Sequence, residues 1–115
     1  GNGNGFRYSI IDMRLNRGNG DVTTKNTLLV ASADEKVTSV IGKTCDSFWV
    51  ITSDRDNFYS FEVTSAGVNN TPITSPIGFS ILFSTRGYLK LSPDGTKLVL
   101  ASSEAGSFIY DLNAT

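Results

Sequence analysis

The segment SDRDNF (53–58) places three oxygen-bearing side chains within four positions: Asp54, Asp56 and Asn57. Ca²⁺ binds oxygen ligands that alternate along a loop in this way, so the three residues are a weak calcium candidate. An EF-hand-type loop also needs a glycine at its sixth position and a distal glutamate, and this segment has neither. The alternative is a solvated hairpin turn whose Asp and Asn side chains bind the local backbone.

Three further carboxylates recur along the chain, each between two apolar residues. They are Asp12, Glu62 and Asp111, separated by 50 and 49 positions. Carboxylates facing a common channel would form a ring whose mutual repulsion raises their pKa values. The favoured alternative is an outward-facing polar position on a half-buried strand, with the flanking apolar residues packed inward.

Other kinds of site are excluded or disfavoured by composition. The chain has no histidine, which removes Ser-His-Asp and Cys-His nucleophiles and histidine-containing zinc sites. Its one cysteine, Cys45, stands in the polar turn GKTCDS and cannot form an internal disulfide. With a net charge of -1 and no basic run, the chain is not predicted to bind nucleic acid. No apolar run is long enough for membrane insertion, and no catalytic residue or cofactor is predicted.

Aromatic residues are concentrated in the middle of the chain, at Phe48, Trp49, Phe58, Tyr59, Phe61 and Phe79. A glycan-binding surface would expose such rings, whereas aromatic residues in strands more often form core. We expect Phe48, Val50, Phe61 and Leu98 to be among the more buried residues.

The elements that would position these residues are short strands, because apolar runs of four to seven residues alternate with turn residues and helical periodicity is nearly absent. Strands are predicted at 7–14, 27–32, 37–41, 48–53, 58–65, 77–83, 87–92, 97–103 and 107–112. In the turn SPDGT, Pro93 and Asp94 suit the two central positions, and Gly95 supplies the left-handed residue that follows them.

The strands repeat with a period of about 50 residues. FWVITS begins at 48 and LVLASS at 98, while TLLVAS begins at 27 and IGFSILF at 77. Four short antiparallel strands per repeat are typical of a β-propeller blade. In this interpretation SPDGT and GKTCDS are the same hairpin in successive blades.

The predicted fold is therefore all-β, with about two and a quarter propeller blades. Residues 7–32 end one blade, 37–83 form a complete blade, and 87–112 give three strands of the next; 1–6 are predicted to be a flexible linker or loop. Propellers close with about four to eight blades, so 7–115 would be part of a larger propeller. The alternative is a self-contained β-sandwich.

An ordered series of segments carries a family resemblance over residues 8 to 113: YSIIDM (8–13), GNGDVTTKNTLLV (18–30), EKVTSV (35–40), FWVIT (48–52), FYSFEVTSAGVNNTPITSPIG (58–78) and GYLKLSPDGTKLVLA (87–101). The chain resembles the N-terminal, WD40-like β-propeller region of secreted bacterial surface proteins exported by the type IX route. It departs from that pattern at Ser53, where the family often has a histidine. The family offers no catalytic residue to transfer.

The resemblance implies an extracellular or cell-surface location and a non-enzymatic role in adhesion or scaffolding. Its partners would be other propeller blades, other protein chains or a glycan. Two alternatives remain open. The chain is a fragment of a propeller hydrolase or lyase whose catalytic residues lie elsewhere, or it is a structural subunit that completes an assembly with other chains.

Overall fold

The computed structural model describes residues 4–81 and 86–113. Within them the chain forms ten β-strands and one short 3-10 turn at Asn16–Gly18. The strands are β1 (Phe6–Asp12), β2 (Asp21–Val30), β3 (Val37–Ile41), β4 (Phe48–Ser53), β5 (Asn57–Thr64), β6 (Gly67–Val68), β7 (Ile73–Pro76), β8 (Gly87–Leu91), β9 (Lys97–Ser102) and β10 (Gly106–Asp111). The predicted all-β class is confirmed.

The strands form three antiparallel sheets, and no sheet closes into a barrel. Sheet A pairs β1 with β2. Sheet B has the order β3-β4-β5, and both β6 and β7 pair with the far side of β5. Sheet C has the order β8-β9-β10. Each sheet is built from consecutive strands, as the short connecting turns require.

Sheets B and C repeat the same register at a spacing of 50 residues. Val37 lies opposite Thr52 and Gly87 opposite Ser102, and the remaining pairs of β3–β4 and β8–β9 keep that spacing. The two connecting turns also match, because the N–H of Gly42 donates to the Ser47 carbonyl at 2.8 Å and that of Ser92 to the Lys97 carbonyl at 2.9 Å. The GKTCDS and SPDGT hairpins thus share one register, while their place in successive blades stays a prediction.

The main core lies between sheets B and C, which pack face to face like the two layers of a β-sandwich. Its buried members are Ile51 and Phe58 from sheet B, Leu89, Leu98 and Leu100 from sheet C, and Ile77 and Ile81 from the segment that follows β7. Phe58 and Tyr110 meet edge to face across this interface, with ring centroids 5.0 Å apart. Alternation along each strand directs these side chains inward.

The opposite face of sheet B contacts sheet A. Phe61 points away from the main core and lies against Phe6 of β1, with ring centroids 6.0 Å apart. Phe61 is fully buried, as is Ile51 on the other face. Sheet B is therefore the middle layer of three, and both of its faces pack against a neighbouring sheet.

Two predicted strand boundaries are wrong. The outer strand expected at 77–83 lies earlier in the chain, at β7. Pro72 precedes β7 and Pro76 is its last residue. Proline is tolerated there because β7 is an edge strand. Gly78, at φ +95, bends the following segment, so Ile77 and Ile81 enter the core outside any strand. Residues 82–83 lie outside the described residues. The strand expected at 27–32 begins at Asp21, since β1 and β2 form one long hairpin.

The burial predictions are mixed. Phe61 and Leu98 are buried as expected, and Val50 is half-buried. Phe48 is 47% exposed, because sheet A has two strands and does not extend over the inner part of sheet B. The first strand begins at Phe6, which the sequence assigned to the linker 1–6; residues 1–3 of that segment lie outside the described residues.

Candidate functional site

The calcium candidate forms a closed hairpin turn between β4 and β5. Asp54 Oδ1 accepts hydrogen bonds from the N–H of Asp56 at 2.8 Å and of Asn57 at 2.7 Å, and Oδ2 accepts one from the Tyr59 hydroxyl at 2.6 Å. Burial raises the pKa of Asp54, but these donors outweigh it and hold the pKa below its ordinary value. The carboxylate is thus occupied by protein donors, as in an Asx turn.

The rest of this turn holds the segment after β7. Asp56 accepts a hydrogen bond from the Ser80 hydroxyl. The carbonyls of Arg55 and Asp56 accept the N–H groups of Ile81 at 2.9 Å and Ile77 at 2.8 Å. Among the described residues, no three His, Cys, Asp or Glu side chains converge on a point where a metal ion would fit. The geometry of Asp54, Asp56 and Asn57 is that of a structural turn.

The three recurring carboxylates lie on three different sheets. Asp12 pairs with Arg14 at 2.7 Å, and the hydrogen bonds from Arg14 lower the pKa of Asp12. Asp111 pairs with Lys97. Glu62 lies on β5 opposite Trp49.

The carboxylates of Glu62 and Asp111 do not occupy equivalent positions, although their spacing suggests it. Six residues separate the paired residues Thr52 and Tyr59, but three separate their counterparts Ser102 and Gly106. The shorter turn moves β10 along β9 by two residues relative to the spacing of 49 between Glu62 and Asp111. The counterpart of Glu62 is therefore Ile109, which lies opposite Val99.

A buried ion pair lies in the segment just before β3 and is hydrogen-bonded to the end of β4. Lys36 Nζ lies 2.9 Å from Asp34 Oδ2, and the two side chains are 0% and 4% exposed. The same Asp34 oxygen accepts the Ser53 hydroxyl at 3.2 Å, and the Thr52 hydroxyl donates to the Lys36 carbonyl at 2.8 Å. Asp34 and Lys36 lie between the predicted strands 27–32 and 37–41, and no buried pair was predicted there. The Ser and Thr that end β4 are the signal that could have indicated a buried polar contact.

The SPDGT turn holds a second carboxylate by local donors. Asp94 Oδ1 accepts hydrogen bonds from the Ser92 hydroxyl at 2.5 Å and from the Thr96 N–H at 3.1 Å. These bonds lower the pKa of Asp94 to about 2. Gly95 has φ +71, the left-handed conformation predicted for it. Like Asp54, Asp94 has a structural role in its turn.

An opening that could hold a ligand lies between sheets B and C, at the edge of the main core. It is a groove with a volume of about 350 Å³, lined by Trp49, Ile73 and Ser75 of sheet B and by Tyr110 and Leu112 at the end of sheet C. Asp111 is the one carboxylate of the described residues that lines it. A second groove, of about 380 Å³, runs between β3 and β8 beside the SPDGT turn.

No protein-family model, curated protein or solved structure matches this chain. In residues 4–81 and 86–113, no helix has the length and apolarity that crossing a bilayer requires. Cys45 is exposed in the β3–β4 hairpin, with no disulfide partner. The fold and the grooves are therefore the basis for a functional proposal.

Proposed function

We propose that this chain is a section of an extracellular β-propeller that acts as a binding or scaffolding module and not as an enzyme. The observation that carries the proposal is the stacking of three antiparallel sheets, with sheet B packed on both faces. A self-contained sandwich has two layers and one buried face on each. A propeller blade packs against a neighbour on each side.

The apolar surfaces that remain uncovered support the same interpretation. On sheet C, the face turned away from sheet B exposes Tyr88 by 80% and Ile109 by 72%. On sheet B, the inner strip beside sheet A exposes Val37 by 56% and Ile41 by 67%. In a propeller, a following blade would cover the first of these surfaces, and two inner strands of the preceding blade would cover the second.

The arrangement of the inner strands gives further support. β3 and β8 are the first strands of sheets B and C, and they lie in contact with each other. First strands of neighbouring blades line the central channel of a propeller, where such contact is expected. Among the described residues, β1 and β10 each pair along one edge only, which favours a second candidate, a structural subunit completed by strands of other chains.

A binding role fits the chemistry of the groove better than catalysis does. Its one described carboxylate, Asp111, is already paired with Lys97. Among the described residues, no second carboxylate lines the groove that could act with Asp111 as the acid and base pair of a hydrolase or lyase. The resemblance to secreted bacterial surface proteins agrees with a binding role. It also implies that the protein is located at the cell surface.

The location is tested by digesting intact cells of the source organism with a protease and detecting the protein with an antibody. A surface module is expected to be degraded in intact cells while a cytoplasmic marker protein is retained. Degradation only after lysis would contradict the proposal.

Binding is tested by applying the purified protein to a glycan array and to cell-surface protein extracts.

A further inference from the structure

The loop between β6 and β7 contains the sequence Asn69-Asn70-Thr71. The pattern Asn-x-Ser/Thr, in which x is not proline, is the acceptor motif for N-linked glycans in secreted proteins. Asn70 is not itself an acceptor, because Pro72 occupies the position that would need Ser or Thr. A motif this short also occurs by chance, so its place in the fold decides whether a transferase could modify it.

The motif lies in a bulge of the outer edge of sheet B. Asn69 continues the ladder of β6, because its N–H donates to the Glu62 carbonyl of β5 at 2.8 Å. Regular pairing resumes where Ile73 lies opposite Ser60. Four positions separate Asn69 from Ile73 but two separate Glu62 from Ser60, so the outer side holds two extra residues. Extra residues of this kind are left unpaired and interrupt the ladder.

This edge is accessible in the folded chain. Asn69, Asn70 and Thr71 are all exposed. Sheet B has its outer strands β6 and β7 in place, so its own strands form the edge on which the motif lies. The two faces of sheet B, in contrast, pack against sheets A and C. A bulky group on this edge would therefore leave both packed faces of sheet B undisturbed.

The Asn69 side chain is held with its amide nitrogen available. Its Oδ1 accepts a hydrogen bond from the Thr71 N–H at 3.0 Å, which closes an Asx turn across the motif. Because the partner is an N–H donor, the amide oxygen must face the backbone and Nδ2 must face away from it. Within residues 4–81 and 86–113, neither Asn69 Nδ2 nor the Thr71 hydroxyl makes a hydrogen bond. Both groups that the motif requires are thus open to a transferase.

We propose that Asn69 is the acceptor of an N-linked glycan. The donor is a sugar joined to a lipid carrier through a diphosphate. In the transfer, Asn69 Nδ2 forms a bond to the anomeric carbon of the sugar, and the bond between that carbon and the diphosphate oxygen breaks. The electron pair of the broken bond leaves with the diphosphate, and one Nδ2 proton passes to a base of the transferase. The inference rests on the proposed function in one respect, because the motif is modified in secreted proteins.

The test is peptide mass spectrometry of the protein isolated from its native source. The peptide that contains Asn69 is expected to carry the added mass of a glycan. Fragmentation by electron transfer, which keeps the glycan attached, assigns this mass to Asn69 or to a neighbouring hydroxyl such as that of Thr71. We expect the mass on Asn69.

Matched variants produced in the same source separate the motif from the turn. Thr71→Val keeps the N–H that donates to Asn69 and removes the hydroxyl, so the added mass should be lost. Thr71→Ser restores a hydroxyl and should retain the glycan. Asn69→Gln removes the acceptor and should lose the glycan, whereas Asn70→Gln changes the middle residue and should retain it. Circular dichroism would verify that each variant is folded.

An unmodified Asn69 in the native protein would overturn the inference. A glycan that persists in Thr71→Val would also overturn it, as would a glycan confined to a second Asn-x-Thr motif that begins at Asn113. These outcomes are distinguishable from failure of the proposed function, because protease digestion of intact cells tests the location separately. A protein that is degraded in intact cells and has an unmodified Asn69 would contradict the glycan and leave the surface location supported.

Discussion

Phe6 of β1 lies against Phe61 of β5, and their ring centroids are 6.0 Å apart on the face of sheet B that points away from the main core. This contact makes sheet B a middle layer, because Ile51 and Phe58 already pack its other face against sheet C. It joins residues that are 55 positions apart, so it reports on tertiary structure and not on local structure.

Phe6→Ala should lower the free energy of unfolding by about 1–3 kcal/mol, less than for a fully buried ring, because Phe6 is half-buried. Urea denaturation measures this. Tyr88→Ala is the control, since Tyr88 is 80% exposed on the far face of sheet C and should change stability by less than about 0.5 kcal/mol. Equal effects of the two substitutions would contradict the contact between sheets A and B.

Lys36→Met should lower the free energy of unfolding by about 3–5 kcal/mol, because it leaves the Asp34 carboxylate buried and without its cation. The double variant Lys36→Met/Asp34→Leu should recover part of this loss, since no buried charge remains. Chemical denaturation of both variants measures the coupling. The control is Lys97→Met, which breaks the exposed pair with Asp111 and should cost at most about 1 kcal/mol.

The Asp54 turn should contribute to acid sensitivity. Because the pKa of Asp54 is lower in the folded chain than in the unfolded chain, its contribution is complete above the ordinary Asp pKa of about 3.9. The contribution is lost as pH falls through the lower folded value. Tyr59→Phe removes one donor to this carboxylate and should raise the pKa of Asp54 toward its ordinary value, as measured by NMR titration of its carboxyl carbon.

Tyr110→Phe is the control for that titration. The Tyr110 hydroxyl donates to the Ile77 carbonyl at 3.1 Å, so its removal should leave the pKa of Asp54 unchanged. An Asp54 titration at the ordinary value in the wild type would show that the turn is not hydrogen-bonded as described.

Gly87→Ala should be more destabilising than Gly106→Ala by more than about 1 kcal/mol. Both glycines have positive φ, at +146 and +93, so alanine is strained at each. At position 87 a Cβ would also lie 1.9 Å from the Ala101 carbonyl oxygen, whereas at 106 it would contact nothing within 4 Å. Thermal unfolding of the two variants measures the difference, and equal melting temperatures would contradict the tight β8–β9 contact.

Strand periodicity could be predicted from the sequence where strands are rich in β-branched and aromatic residues. The predicted bounds of β3 and β4, 37–41 and 48–53, agree with the structure. β7 was missed because Pro72 before it and Pro76 at its end are typical of loops, and proline is tolerated in a strand at a sheet edge. Phe48 was expected to be buried because a single sequence does not show how many strands a neighbouring sheet contributes.

The candidate site was less predictable, because it depends on register and on contacts between distant segments. The Asp34–Lys36 pair is buried by its neighbours and not by its own sequence, which is polar. The spacing of Glu62 and Asp111 suggested equivalent positions, but the shorter turn before β10 changes the register. The groove exists because sheet B has a strand beyond the width of sheet C, and no local pattern encodes this difference.

The central claim is that these three stacked sheets are a section of a larger propeller. The most direct test is the intact mass of the polypeptide isolated from its native source, measured together with its oligomeric mass by light scattering. The account predicts a mass well above the 12.4 kDa of this chain, either in one polypeptide or in a defined assembly. A monomer of 12.4 kDa that unfolds cooperatively would contradict it and favour a self-contained β-sandwich.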